Sequence, residues 1–308
     1  MTTPSRRLPL TIFCGKGGVG KTTLSLAYAL RHANQGRTSL VVTSHPLPEL
    51  AVSVSLAGLK EKLPVAAANL FVIHVDPREI LNSEVEQQIP SKLLAEAVLS
   101  SRIYQSLVEV APGLKEIAFL GRLQQLAEER SPDETARKFD LLVWDAPATG
   151  HFLQTLNVSK NFDLYLSGPF ALLGKQLTEF FSDPSNFALI PVTTLEEMAV
   201  EETIELCEKL VGELTMRPRC VICNLTSPLL ASPDPEFENL YRQMIPEGTD
   251  SNNLKFILDR HAIERSLFQR LRSAIGVELQ TVERRPYCET DLDLLLDLSC
   301  RLETLSGV

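Results

Sequence analysis

Between an apolar run, Leu8-Pro-Leu-Thr-Ile-Phe-Cys14, and a helical pattern continuing to about Gln35 stands the stretch Gly15-Lys-Gly-Gly-Val-Gly-Lys-Thr-Thr23. Its glycines let the backbone curl with N–H groups pointing inward, a concave cradle for phosphate anions. A helix opening near Lys21 aims the positive end of its dipole at the same spot. In this strand–loop–helix context the spacing is that of a P-loop. Lys21 is expected to reach the β- and γ-phosphates, and the Thr22 hydroxyl to ligate Mg²⁺. The candidate nucleotide-binding residues are therefore Gly15, Lys16, Gly17, Gly18, Val19, Gly20, Lys21, Thr22 and Thr23.

A P-loop needs a parallel sheet behind it, and the chain supplies strands at suitable intervals. Apolar β-rich runs occur at Thr38–Thr43, Leu70–Asp76, Phe139–Trp144, Phe187–Thr193, Arg219–Asn224 and Val277–Val282. Between them lie helical patterns, so the expected architecture is α/β, a doubly wound, mostly parallel sheet in a single domain over 1–308. From Pro77 to about Arg130 the pattern is helical, with polar breaks at Glu86–Gln88 and Ala111–Gly113. That is more helix than a crossover requires, and it predicts a helical subdomain over about 78–135, joined by a second block over 160–183. Asp145 ends the strand Phe139–Trp144, at the edge where open α/β sheets bind ligands. A carboxylate there, following a P-loop, is expected to hold a water on Mg²⁺.

Composition narrows the class. The net charge of −9 disfavours a nucleic-acid partner, because phosphate neutralisation needs a basic surface. No apolar run approaches the ~20 residues of a membrane helix, so no integral membrane segment is expected. Nor does the start, Met-Thr-Thr-Pro-Ser-Arg-Arg, read as a signal peptide; with six scattered cysteines, it points to reduced thiols and a cytoplasmic protein. Cys220 and Cys223 form a C-x-x-C pair inside a strand, where side chains three apart face opposite ways; they read as structural.

Lys16, a second lysine inside the glycine turn, is an additional cation near the phosphates. The pattern resembles the deviant Walker A box of the ParA/MinD/ArsA branch of P-loop NTPases. Asp145-Ala-Pro-Ala-Thr-Gly-His151 narrows the resemblance to the ArsA branch, whose switch II usually reads Asp-Thr-Ala-Pro-Thr-Gly-His. That branch includes the arsenite-pump ATPase and the ATPase that guides tail-anchored membrane proteins. Val75-Asp76-Pro77 and the segment Pro191–Thr203 are similar to family segments as well. The resemblance implies a homodimeric ATPase in which Lys16 crosses to the partner's nucleotide. It also implies that Asn224 reads adenine, that Arg285-Pro286-Tyr287 lies in the adenine-capping loop, and that His151 hydrogen-bonds in a switch, the other reading of His151 being simply a helix-start residue.

One departure bears on activity. The family's switch I, Ser-Thr-Asp-Pro-Ala-His, carries an aspartate that orients the attacking water; here Thr43-Ser44-His45-Pro46-Leu47-Pro48 puts His45 in its place. An imidazole can accept a hydrogen bond from water, so His45 is either a working catalytic substitute or the mark of slow or lost hydrolysis. The expected function is thus an ATPase that couples Mg²⁺-ATP to a conformational switch, for a hydrophobic protein client or a membrane-associated partner. The alternative is a nucleotide-dependent scaffold. A ParA/MinD-like positioning role would want a basic surface or an amphipathic tail, and neither is evident in the sequence.

Overall fold

The computed structural model describes residues 10–43, 69–111, 113–131, 137–161, 169–227, 230, 251–285, 288 and 290–302. In chain order these form β1 (Leu10–Gly15), α1 (Lys21–Asn34), β2 (Ser39–Thr43), β3 (Leu70–His74) and α2 (Pro77–Gln88). Then come α3 (Lys92–Leu99), α4 (Arg102–Val110), α5 (Leu114–Glu128), β4 (Leu141–Ala148), α6 (Thr149–Asn161) and α7 (Pro169–Ser182). The chain continues through β5 (Phe187–Thr194), α8 (Glu197–Gly212), β6 (Cys220–Thr226), α9 (Ser251–Ala274), β7 (Glu278–Glu283) and α10 (Asp291–Arg301).

The strands form one sheet in the order β3-β2-β4-β1-β5-β6-β7. Every pairing is parallel. The order explains the near-continuous apolar strands, because a parallel sheet covered on both faces has no polar side. Leu10, Ile12 and Cys14 point to one layer, where Trp144 meets Phe119 of α5 and Phe152 of α6 at ring-centroid distances of 5.3 and 5.4 Å. Phe13, Val41 and Val143 point to the other, packing on α1 and on Leu295 and Leu298 of α10. Under α8 and α9 a third cluster gathers Val221, Cys223, Leu267 and Leu271. Cys220 lies in the α1–α10 layer and Cys223 in the α8–α9 layer, so the two thiols face opposite sides of the sheet.

Between β3 and β4 the helical stretch divides into four helices. Asp76 caps α2 by accepting from Arg78 N at 2.8 Å, and Pro77 occupies the first helical position, where a missing N–H costs nothing. Leu81, Val108, Leu114 and Ala118 make a small core of their own, beside a cavity of about 320 Å³ bordered by Ile80, Val85 and Tyr104. Leu93, Leu94, Ile103 and Val110 of α3 and α4 are exposed, at 62 to 84%. No helix among the described residues is long and apolar enough to cross a membrane.

Three details differ from the sequence reading. The helical stretch breaks once more at Ser100, whose hydroxyl bonds back to Glu96 O and satisfies the helix end. β4 runs past Trp144 to Ala148, because its last residues still pair with Gly15 of β1. Directly after it, α6 is a helix that the sequence reading omitted; Phe152, Leu153 and Leu156 carry its buried face, their period diluted by the polar residues between them.

Candidate nucleotide-binding site

The sheet order places the C-terminal ends of β1, β4 and β5 side by side, and the glycine loop leaves the sheet there. Gly15 sits at φ 137°, and a Cβ on it would lie 2.2 Å from Val192 O of β5. Close approach of two backbones and an unusual φ both require glycine. Gly15→Ala should therefore destabilise the chain by roughly 2 kcal/mol, read as a lower urea midpoint with an unchanged slope. An unchanged midpoint would show that the loop can move off β5 freely.

At the loop's far end Gly20, left-handed at φ 90°, is the N-cap of α1. Lys21 follows, buried, with its Nζ donating to Lys16 O at 2.8 Å. Burial pulls the Lys21 amine below its ordinary range, against the opposing field of Asp145 first and Glu202 last. Cys14, fully buried on the strand below, has its thiol pushed upward by the same desolvation. A positive group held in a poorly solvated loop favours an anion as its partner.

Thr22 Oγ1 donates to Asp145 Oδ2 at 2.6 Å, joining the first turn of α1 to β4. Asp145 lies opposite Phe13 in β1 and Thr43 in β2, with only 7% of its surface exposed. Burial pushes its carboxyl up to about 6, although the Thr22 hydroxyl and the Lys21 charge pull the other way. Its Oδ1 is buried with no hydrogen-bond partner among the described residues. A carboxylate oxygen wanting a partner beside a hydroxyl is a hard oxygen set, the kind that Mg²⁺ and its waters take.

Lys16, Lys21, Thr22, Asp145 and Asn224 are thus gathered around one loop. Asn224, at the end of β6, donates its Nδ2 to Val19 O at 2.8 Å. Lys16 Nζ lies 3.8 Å from Glu202 Oε2 of α8, a weak contact between half-exposed groups. Glu202 is the residue sequence reasoning missed: on paper it is one acid among many on an acidic amphipathic helix. Only the turn from β5 into α8 brings it to the lysines. His151 falls in the first turn of α6, exposed, on the rim of a cavity of about 140 Å³ that also touches Trp144. Arg285 makes a bidentate pair with Asp297 of α10, at 2.6 and 2.5 Å, which holds the Asp297 carboxyl below its usual range. His45, Pro286 and Tyr287 lie outside the described residues.

Comparison with known proteins agrees with this geometry. Residues 9–173, more than half of the chain, match the ArsA ATPase family, described as anion-transporting ATPases. The chain is 26% identical over 236 residues to an arsenical pump-driving ATPase of Acidiphilium multivorum, which covers 70% of this chain and 39% of that one. It is 27% identical over 168 residues to the ATPase GET3C of Arabidopsis thaliana, covering 50% of this chain and 42% of the relative. With the ATPase BagA of Mycobacterium tuberculosis it shares 25% identity over 230 residues, covering 73% and 67%. The match therefore spans only about two fifths of the length of the first two relatives. With a P-loop on the central strand of an all-parallel sheet, and a family match over most of the sheet's first half, the chain belongs to the ArsA family of ATPases.

Proposed function

We propose that the chain binds Mg²⁺-ATP and hydrolyses it slowly as a cytoplasmic homodimer, using the cycle to switch the shape of a helical subdomain. The observation that carries this reading is the bond from Thr22 to Asp145, whose second carboxylate oxygen has no partner among the described residues. Thr22 would ligate Mg²⁺ and Asp145 would hold it through water. Held there, the ion would supply a Lewis acid beside the phosphates that offsets their negative charge. The remaining work falls to the protein. Lys21 would give up Lys16 O for the β- and γ-phosphates, and the loop N–H groups would orient the same oxygens. Lys16, lightly held by Glu202, is the cation free enough to cross to a partner's nucleotide, as the family resemblance implies. Asn224 would contact adenine, with Pro286 and Tyr287 over the base.

The helices of 78–135 and 160–183 would form the moving part. The partner reading, a hydrophobic protein client, is supported by the exposed Leu93, Leu94, Ile103 and Val110 on two neighbouring short helices. A second reading, a nucleotide-dependent scaffold, is favoured by one residue, His45 where the family has an aspartate.

Single-turnover and steady-state ATP hydrolysis with Mg²⁺, with dimerisation followed by light scattering, separates the two. We expect slow turnover in the native chain, raised roughly ten- to a hundredfold in His45→Asp, because a carboxylate orients water better than an imidazole. Tight ATP binding with no single-turnover product would establish the scaffold instead. Native turnover that His45→Asp lowers would make His45 a catalytic residue.

A further inference from the structure

Asn224 does something besides facing a base. Its Nδ2 reaches across to Val19 O, inside the phosphate loop. The carbonyl is an acceptor, so the nitrogen end of the amide must point to it, and the amide's orientation is fixed by chemistry. Asn224 as a whole is 6% exposed, and Oδ1 takes no hydrogen bond among the described residues. On the loop side the approach is possible only because Gly20 lacks a side chain: a Cβ there would lie 2.4 Å from Nδ2.

On the strand side, the chain goes to some length to aim this amide. The next residue, Leu225, is left-handed at φ 57°, one of two such non-glycine residues among those described. The β6–β7 register slips between Asn224 and Thr226, and Thr226 O then accepts from Arg284 N at 2.9 Å. A leucine rarely adopts that conformation, and it persists where the surroundings fix it on both sides. Here β7 fixes the far side and the phosphate loop the near one. A bulge of this kind re-aims a side chain at the end of a strand.

We propose that Asn224 is a positioning residue for the phosphate loop, held on target by the left-handed Leu225, so that base contact and phosphate cradle share one amide. The proposal rests on the nucleotide reading above and adds a role independent of the base. If Asn224 only read adenine, a triphosphate without a base would be indifferent to it. If it shapes the loop, inorganic tripolyphosphate should feel its loss as ATP does.

The test is calorimetric binding of Mg²⁺-ATP and Mg²⁺-tripolyphosphate to the native chain, Asn224→Ala and Asn224→Asp. The aspartate keeps the shape but replaces the donor with an acceptor facing Val19 O. Both variants should weaken tripolyphosphate roughly tenfold, the worth of one buried hydrogen bond, and ATP by at least as much. Weakening of ATP alone would overturn the positioning role and leave the nucleotide reading standing. A native chain that binds neither ligand would sink both. Should the variants not fold, the nucleotide-free native chain still decides the matter. Its Asn224 side-chain amide protons should exchange slowly by NMR, and rapid exchange at both would overturn the proposal.

Discussion

Lys21→Ala should lower ATP turnover by roughly 10²- to 10³-fold, the usual cost of removing one preorganised charge from a transition state. The cause lies in the loop's geometry. Lys21 is buried where α1 begins, and among the described residues its amine makes a single hydrogen bond, to Lys16 O of the same loop. Desolvation lowers its pKa, which means the charged form is poorly satisfied until an anion arrives. Binding and chemistry should both suffer, so ATP affinity falls along with turnover. Stability should not. Alanine removes a desolvated charge, and the loop carrying the Lys16 carbonyl is exposed at Gly17 and Gly18. The expected result is an unfolding midpoint at or above that of the native chain, with turnover lowered by that factor. Lys21→Arg is not a rescue, because a planar guanidinium is bulkier than the ammonium the loop encloses. Retained turnover in Lys21→Ala would remove the P-loop from the chemistry altogether.

How much of this was readable beforehand depended on distance along the chain. The P-loop is contiguous: its glycines mark the turn, and the apolar run before it and the helical pattern after it mark the strand and the helix. Asp145 was legible because an apolar run ends at it, and its meeting with Thr22 follows from where any such strand lies beside β1. Asn224 was visible only through resemblance, and then only as a residue expected to read a base. Its bond to Val19 depends on a left-handed Leu225 that no propensity would place there. Glu202 was invisible for the opposite reason, since nothing distinguishes it from its acidic neighbours until α8 is set against the loop. The helix α6 was lost because the signature Asp145–His151 reads as a loop motif, whereas four of its residues extend β4 and the rest start a helix. Local chemistry is written in the sequence; contacts between β6, α8 and the loop are written in the topology.

The same division between local and long-range effects sets the largest stability change to be expected. Asp145 is buried, and desolvation disfavours its charged form. Its pKa stands at about 6 in the fold against an ordinary 3.8. The native state therefore holds this proton more tightly than the unfolded chain does. That contribution to stability is complete below about pH 4 and is lost as pH rises through about 6, leaving a cost of about 3 kcal/mol near neutrality. Asp145→Asn removes the charge and keeps the shape. In EDTA at pH 7.5 it should unfold at a higher urea concentration than the native chain, by roughly 2–3 kcal/mol, and the two should converge toward pH 4. Adding Mg²⁺ and ATP should reverse the order, since ligand that binds only the folded native chain stabilises only that chain. An asparagine variant no more stable than native in EDTA would mean that Thr22 and Lys21 already compensate the buried charge. The Mg²⁺ role proposed for Asp145 would then lose the support of its Oδ1.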